Sequence, residues 1–213
     1  MIIRKANPDD FTQMLPIFRQ VIEGGDTYDF EETATDQDAF DYWFGKGVTS
    51  FVMEENGQVL GFYKIIPNHR GRGSHVANAS FMVSSKARGK GIGRKMGEDC
   101  IARAHEMGFK AIQFNYVIST NTAAMHLWES LGFRELCRLP SAFNHKTLGF
   151  VDAVIFFREV LWCGHRETNI FSVCMFAIAL RVCSFGANLL HLRNVDKQVY
   201  RRFFGLQTFH VKQ

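Results

Sequence analysis

The 213-residue sequence has no Cys-x-x-Cys pair, no Gly-x-x-x-x-Gly-Lys-[Ser/Thr] loop and no Gly-x-Gly-x-x-Gly run. These absences exclude, in turn, a paired-thiol redox or zinc framework, a nucleotide P-loop and a dinucleotide fingerprint. Its eight histidines show no metal-ligand spacing, so no metal is expected. Five cysteines are scattered at 100, 137, 163, 174 and 183. An odd, scattered set points to free thiols in a reducing, cytoplasmic compartment. Long apolar runs are missing too. Ile170 to Leu180 is 11 residues and is broken by Arg181, whereas a membrane-spanning helix needs about 20. The N-terminus turns acidic at Asp9-Asp10, which argues against a signal peptide.

What is present is globular in character: 46% hydrophobic and 22% charged residues. The net charge of +4 is unevenly placed. Residues 1–160 hold 18 Lys+Arg against 19 Asp+Glu, while residues 161–213 hold 7 against 2. The main body is therefore nearly neutral and carries no general nucleic-acid footprint. The composition change divides the chain into a domain at 1–160 and a basic, apolar-rich extension at 161–213. For that extension three readings stand: a packed helical addition, a membrane-surface element, or non-native sequence such as a shifted reading frame.

One stretch organises the domain. Phe81-Met82-Val83 reads as an apolar strand end, Ser84 to Lys90 as a polar turn, and Ile92 onward as a helix. Gly89, Gly91 and Gly93 let the backbone approach a ligand closely. A helix starting there aims unpaired N–H groups and the positive dipole end at it, and Arg88, Lys90 and Arg94 add charge. The segment Arg88, Gly89, Lys90, Gly91, Ile92, Gly93 and Arg94 is thus a candidate phosphate or pyrophosphate cradle.

The remaining chain reads as alternating elements. Ile2 to Lys5 is a short strand, and Asn7-Pro8 starts a helix with apolar positions at Phe11, Met14, Leu15, Phe18 and Ile22. Pro16 should kink it, and Gly24-Gly25 ends it. Thr35 and Asp38 cap a second short helix. Asn56-Gly57 closes a hairpin, and a strand from Val76 to Val83 leads into the cradle. A helix from Ile92 to Met107, a strand from Ala111 to Val117, a helix capped by Ser119 or Thr120, and strands at Phe133–Leu139 and Phe150–Phe157 follow. Ile112, Phe114 and Tyr116 are expected on one face of the strand at 111–117, with Gln113 and Asn115 on the other.

The pattern Arg-x-x-Gly-x-Gly at Arg88, Gly91 and Gly93 resembles the GNAT superfamily of acyl-CoA-dependent N-acyltransferases. So does the segment from Asn121 to Phe133, where Asn121, Ala124, Gly132 and Phe133 match N-x-x-A-x-x-x-Y-x-x-x-G-F. Trp128 departs from that pattern, standing where the family often has a tyrosine that protonates the departing thiolate. Indole cannot do this near neutral pH, and Trp128 also fits a core position. The resemblance covers about residues 1–160. It implies an α/β fold with a mixed, splayed central sheet flanked by helices, and acetyl-CoA as co-substrate in the gap.

The resemblance further implies that Phe81, Met82 and Val83 offer backbone groups to the cofactor's arm and to the reacting carbonyl, and that Asn121 contacts the arm. For proton transfer and amine binding the candidates are Tyr28, His75, Asn78 and Asn115. His75 has the most suitable ordinary pKa; a loop residue without a role is its alternative, as core packing is for Tyr28. The expected activity is transfer of acetyl to a primary amine of a small molecule. A protein amine, or an acyl-CoA sensor without turnover, are the alternatives. A homodimer is left open, and no nucleic acid or membrane span is expected.

Overall fold

In the computed structural model residues 1–160 are described, Arg88 excepted; the extension 161–213 lies outside the described residues. The elements are β1 (Ile2–Lys5), α1 (Phe11–Gly24), α2 (Asp36–Phe44), β2 (Thr49–Glu55), β3 (Gln58–Pro67), β4 (Val76–Val83), α3 (Ile92–Glu106), β5 (Ala111–Ile118), α4 (Thr122–Ser130), β6 (Arg134–His145) and β7 (Gly149–Glu159). This is a mixed α/β arrangement around a seven-stranded sheet of order β1-β2-β3-β4-β5-β7-β6.

Local chemistry sets the boundaries. Asn7 and Asp10 form a capping box over a 3-10 turn at Pro8–Asp10 that leads into α1. Helix α1 runs unbroken through Pro16 and ends at Gly25, which takes the left-handed conformation. Thr35 and Asp38 form the same kind of box on α2. Asn56 and Gly57 both have positive φ, as a type I′ hairpin turn requires. Arg4 joins these pieces by bridging Asp10 and Glu54.

Alternation along the strands divides the core in two. Phe62 and Met82 pack with Met14, Phe18 and Trp43 beneath α1 and α2. Their neighbours Tyr63 and Phe81 belong to the cluster of Ile92, Met96, Trp128 and Phe133 beneath α3 and α4. Full burial of side chains this large stabilises the fold by about 1.5–3 kcal/mol each. Strands β4 and β5 pair in parallel only at Val76–Ala111 and Ala77–Ile112, and then part.

Three details differ from the sequence pattern. Strand β6 does not stop at Leu139 but continues to His145. Pro140 falls inside a register shift between Leu139 and Phe143 on the outermost strand, where its missing N–H breaks no ladder. Tyr116 does not share a face with Phe114, because a register shift between Phe114 and Val117 intervenes. Val117 joins the α3/α4 cluster instead, and Tyr116 turns to Phe143. Helix α4 is capped by Asn121, not by Ser119 or Thr120. No helix among the described residues is long and apolar enough to cross a membrane.

Candidate active site

The parting of β4 and β5 opens a cleft of about 940 Å³. Its floor is an unpaired strand edge, and the strand register shows which groups it offers. Ser84 N–H bonds Leu60 C=O and Asn68 N–H bonds Val76 C=O, with Phe62 opposite Met82 and Lys64 opposite Ser80. Even-numbered residues of β4 thus turn their backbone groups to β3, and odd-numbered ones turn theirs to the opening. Met82 is therefore corrected as a source of backbone donors: its N–H and C=O face β3, and its side chain lies in the α1/α2 core.

The odd residues differ from one another. Ala79 N–H is taken by the Asn78 side-chain oxygen at 2.8 Å. At Phe81 both groups are taken by Tyr28, whose hydroxyl donates to the carbonyl at 2.8 Å and accepts from the N–H at 2.9 Å. Val83 remains, its edge groups facing the opening with no side chain of the described residues bonded to them. A ligand arm pairing with this edge finds its partner at Val83.

Beyond Val83 the chain passes a 3-10 turn at Ser85–Ala87 and reaches the glycine loop. Gln20 on α1 steadies this turn by accepting from Ser85 N–H and Oγ. Gly91 caps α3 with φ +71°, and no side chain covers the helix start. A β-carbon added at Gly89 or Gly91 would meet nothing within 4 Å, so the space above this part of the loop is open. The first N–H groups of α3 face that space, and Lys90 is exposed beside it. This arrangement fits a pyrophosphate.

Other predicted cradle residues divide their duties. Ile92 is buried, leaving its backbone for a ligand. Gly93 lines the cleft, and a β-carbon there would lie 3.2 Å from the Leu127 side chain, so the close approach of α4 leaves little room for one. Arg94 bonds Ser130 Oγ at 2.7 Å and pairs with Glu98. Arg88 lies outside the described residues. Asn121 lines the cleft; its oxygen caps α4 by accepting from Ala124 N–H, which leaves its amide nitrogen for a ligand. Trp128 is buried against Phe81, Phe114 and Phe133, a core position whose edge reaches the cleft.

The far half of the cleft carries Tyr28, Asn78 and Asn115 together. Burial raises the Tyr28 phenol well above its ordinary pKa and pushes Tyr42 up to about 12. Both stay neutral at physiological pH, so they hold hydrogen bonds but do not accept protons. Asn115 donates to Asn68 at 2.6 Å and accepts from Gln113 at 2.8 Å, forming an amide ladder along the wall.

His75 is not brought to this site. It is exposed, with Nδ1 against the Arg72 carbonyl, and sits near Lys110, Glu159 and Val160 beside the paired ends of β4 and β5. The cleft opens only past that pairing.

Several cleft residues carried no sequence signal: Gln20, Tyr42, Ser80 and His145. Tyr42 and Ser80 bond each other at 2.8 Å across 38 positions of chain. Only the pairing of β3 with β4 and the packing of α2 over it bring them together, and no local motif records this. Glycine-led turns after α1 were legible, and the run Asp26-Thr27-Tyr28-Asp29 follows directly from them.

The model of the acetyltransferase (GNAT) family matches residues 15–133. An N-acetyltransferase of Schizosaccharomyces pombe, aca1, is 32% identical over 152 residues, which is 63% of this chain and 73% of that protein. A solved GCN5-related N-acetyltransferase from Kribbella flavida is 42% identical, with a TM-score of 0.71 over 74% of this chain and 96% of that one. The fold is also that of yncA, a putative acetyltransferase from Salmonella typhimurium solved with its cofactor acetyl-CoA, at 22% identity and TM-score 0.68 over 78% of this chain and 98% of that one.

Proposed function

The chain belongs to the acetyltransferase (GNAT) family, and on that premise we propose that it transfers acetyl from acetyl-CoA to a primary amine of a small molecule. The observation that carries this reading is the continuity of the uncapped, glycine-led start of α3 with the open edge of β4. In it residues 1–160 are the catalytic domain. Acetyl-CoA supplies the thioester, whose acyl–sulfur bond is exchanged for an amide bond.

Backbone N–H groups from Gly89 to Gly93 hold the pyrophosphate, Lys90 adds charge, and Val83 and the Asn121 amide align the arm. This fixes one reactant, and the cleft supplies the proximity. Phe81, Phe114 and Trp128 form a wall that keeps water from the reacting carbonyl. The amine attacks as the free base, so it gives up a proton twice, once on entering the site and once on forming the amide. Tyr28 and Tyr42 do not take those protons, and Asn115 has no basic atom. Asp26 and Asp29 are carboxylates lining the acceptor end; their charge draws a cationic amine in, and its protons leave to water. Asn115 and Ser80 orient the amine.

Titration calorimetry of acetyl-CoA against wild type and Gly91→Glu tests the reading. Glutamate places bulk and negative charge in the open space at a left-handed position. Binding lost by a factor of about 100 or more in a folded variant supports the cradle. Equal binding in both proteins, or none in either, overturns it. A second reading, acyl-CoA binding without turnover, draws on Phe81 being flanked by Tyr28 and Trp128, neither of which exchanges protons near neutral pH. Coenzyme A release across an amine panel separates the two.

A further inference from the structure

Tyr28 belongs to the loop between α1 and α2, yet its hydroxyl serves one residue of β4 as a neighbouring strand would, bonding both the N–H and the C=O of Phe81. Counting back along β4 from the cradle, the first open-edge residue is Val83. Phe81 comes next, about 6.6 Å further at the usual rise of a strand, and there the polar track is closed. One step beyond, Asn78 closes Ala79. At the level of Phe81 the cleft is also walled, with the Phe81 ring 4.8 Å from Trp128 and 5.9 Å from Phe114.

We propose that Tyr28 is the stop of the acyl subsite: it ends the track on which the arm of an acyl-coenzyme A pairs with β4, and so restricts the transferable group to a short acyl chain. This rests on the reading that the arm lies along the open edge of β4. Two bonds fix the hydroxyl, and the ring packs on the α1/α2 cluster. Turning the ring aside would break both bonds to Phe81 and the ring's packing on the α1/α2 cluster together. The stop is therefore held from both ends. A chain two carbons longer than acetyl meets the Tyr28 ring, while the acceptor residues Asn78 and Asn115 lie past it.

The test is calorimetric binding of coenzyme A, acetyl-CoA and butyryl-CoA to wild type, Tyr28→Phe, Tyr28→Leu and Tyr28→Ala, with thermal melting to confirm folding. Wild type is expected to bind acetyl-CoA at least tenfold more tightly than butyryl-CoA. Tyr28→Ala closes that gap by roughly tenfold, the worth of two newly buried methylene groups. Tyr28→Leu keeps an apolar contact with the α1/α2 cluster but falls short of β4, and shifts the ratio the same way by less. Tyr28→Phe retains the ring and keeps the discrimination within a few-fold of wild type. Coenzyme A itself binds all four equally. An unchanged acetyl-to-butyryl ratio in whichever shortened variant folds overturns the proposal, as does a wild type that binds both acyl forms alike. Failure of wild type to bind coenzyme A at all overturns the cofactor reading and this proposal with it; coenzyme A bound with no change of ratio overturns only the role of Tyr28.

Discussion

The two halves of the cleft are built from different materials. The half near α3 is made mainly of backbone: the start of a helix, a glycine loop without a cap, and a strand edge at Val83. The far half is made of side chains from α1, α2, β4, β5 and the loops between them, with Tyr28 set against β4 and Tyr42 against Ser80. A backbone site needs only the right residues in one short run. A side-chain site needs the whole fold to bring its members together, and it can change its chemistry by single substitutions. The first half is thus suited to a ligand common to a family, and the second to an acceptor that differs between members.

The largest expected effect breaks the comparison at its backbone side. Gly91→Glu removes acetyl-CoA affinity by a factor of about 100 or more; its side chain enters open space, so the stability cost is limited to about 1–2 kcal/mol for a left-handed residue with a β-carbon. Gly97 offers the contrast within the same helix. A β-carbon there would lie 2.5 Å from Leu131 and 3.2 Å from Trp128. Gly97→Val should therefore cost about 1–3 kcal/mol of stability, read by denaturant unfolding, and act on binding only through the fold.

A second prediction concerns the floor below the acceptor half. Lys64 is only 4% exposed; its ammonium lies 3.0 Å from the Tyr42 ring centre and donates to the Tyr42 carbonyl. Burial lowers its pKa to about 7, with Asp29 opposing the shift. The unfolded chain holds this proton up to about pH 10.4, so between about 7 and 10.4 the unfolded state binds more protons. Stability then rises with pH across that window and is insensitive to Lys64 below it. Lys64→Met should flatten the rise and stabilise the protein at pH 6. Urea unfolding of both proteins from pH 6 to 9.5 checks this; parallel curves would sink it.

The same division explains what was legible beforehand. Helix starts at Asn7 and Thr35, the Asn56-Gly57 turn and the order of elements follow from local pattern, and all are observed. The glycine-led start of α3 could be read because glycine and helix start are neighbours in sequence. Tyr28 could be nominated from its loop, but its task was hidden, since Phe81 is 53 positions away. His75 had suitable chemistry and the wrong end of the strand, a fact set by where β4 and β5 part. Asn121 carried a motif and turned out to cap its own helix as well. Residues linked only by the sheet, such as Ser80 and Tyr42, gave no signal.

Asn115→Ala sharpens the comparison from the side-chain half. It removes the middle of the ladder from Gln113 to Asn68 and leaves polar atoms of both without their present partners. On the proposed reaction the amine KM should rise roughly tenfold, the scale of one buried hydrogen bond to the acceptor, while acetyl-CoA affinity stays within about twofold. Steady-state kinetics with calorimetry separates the two. Equal loss on both sides would mean that the halves are not independent.

The smallest effect is expected where the chain departs most visibly from its family's pattern. Trp128 stands where the resemblance to the family implies a tyrosine that would protonate the leaving sulfur. Its ring sits among Phe81, Phe114 and Phe133 at centroid distances of 4.6 to 5.8 Å. That packing assigns it to the wall and not to proton transfer. A thiol has a pKa of about 8.5, so a thiolate leaves near neutral pH with little need of an acid, unlike an alkoxide. Trp128→Tyr should therefore change kcat by less than about threefold, a barrier change of roughly 0.65 kcal/mol, while the smaller ring loosens the aromatic cluster and lowers the melting temperature. Single-turnover coenzyme A release from pH 6 to 9 checks this. A tenfold gain with a new dependence on a high-pKa group would show that sulfur protonation limits the native reaction, and would move Trp128 from the wall into the chemistry.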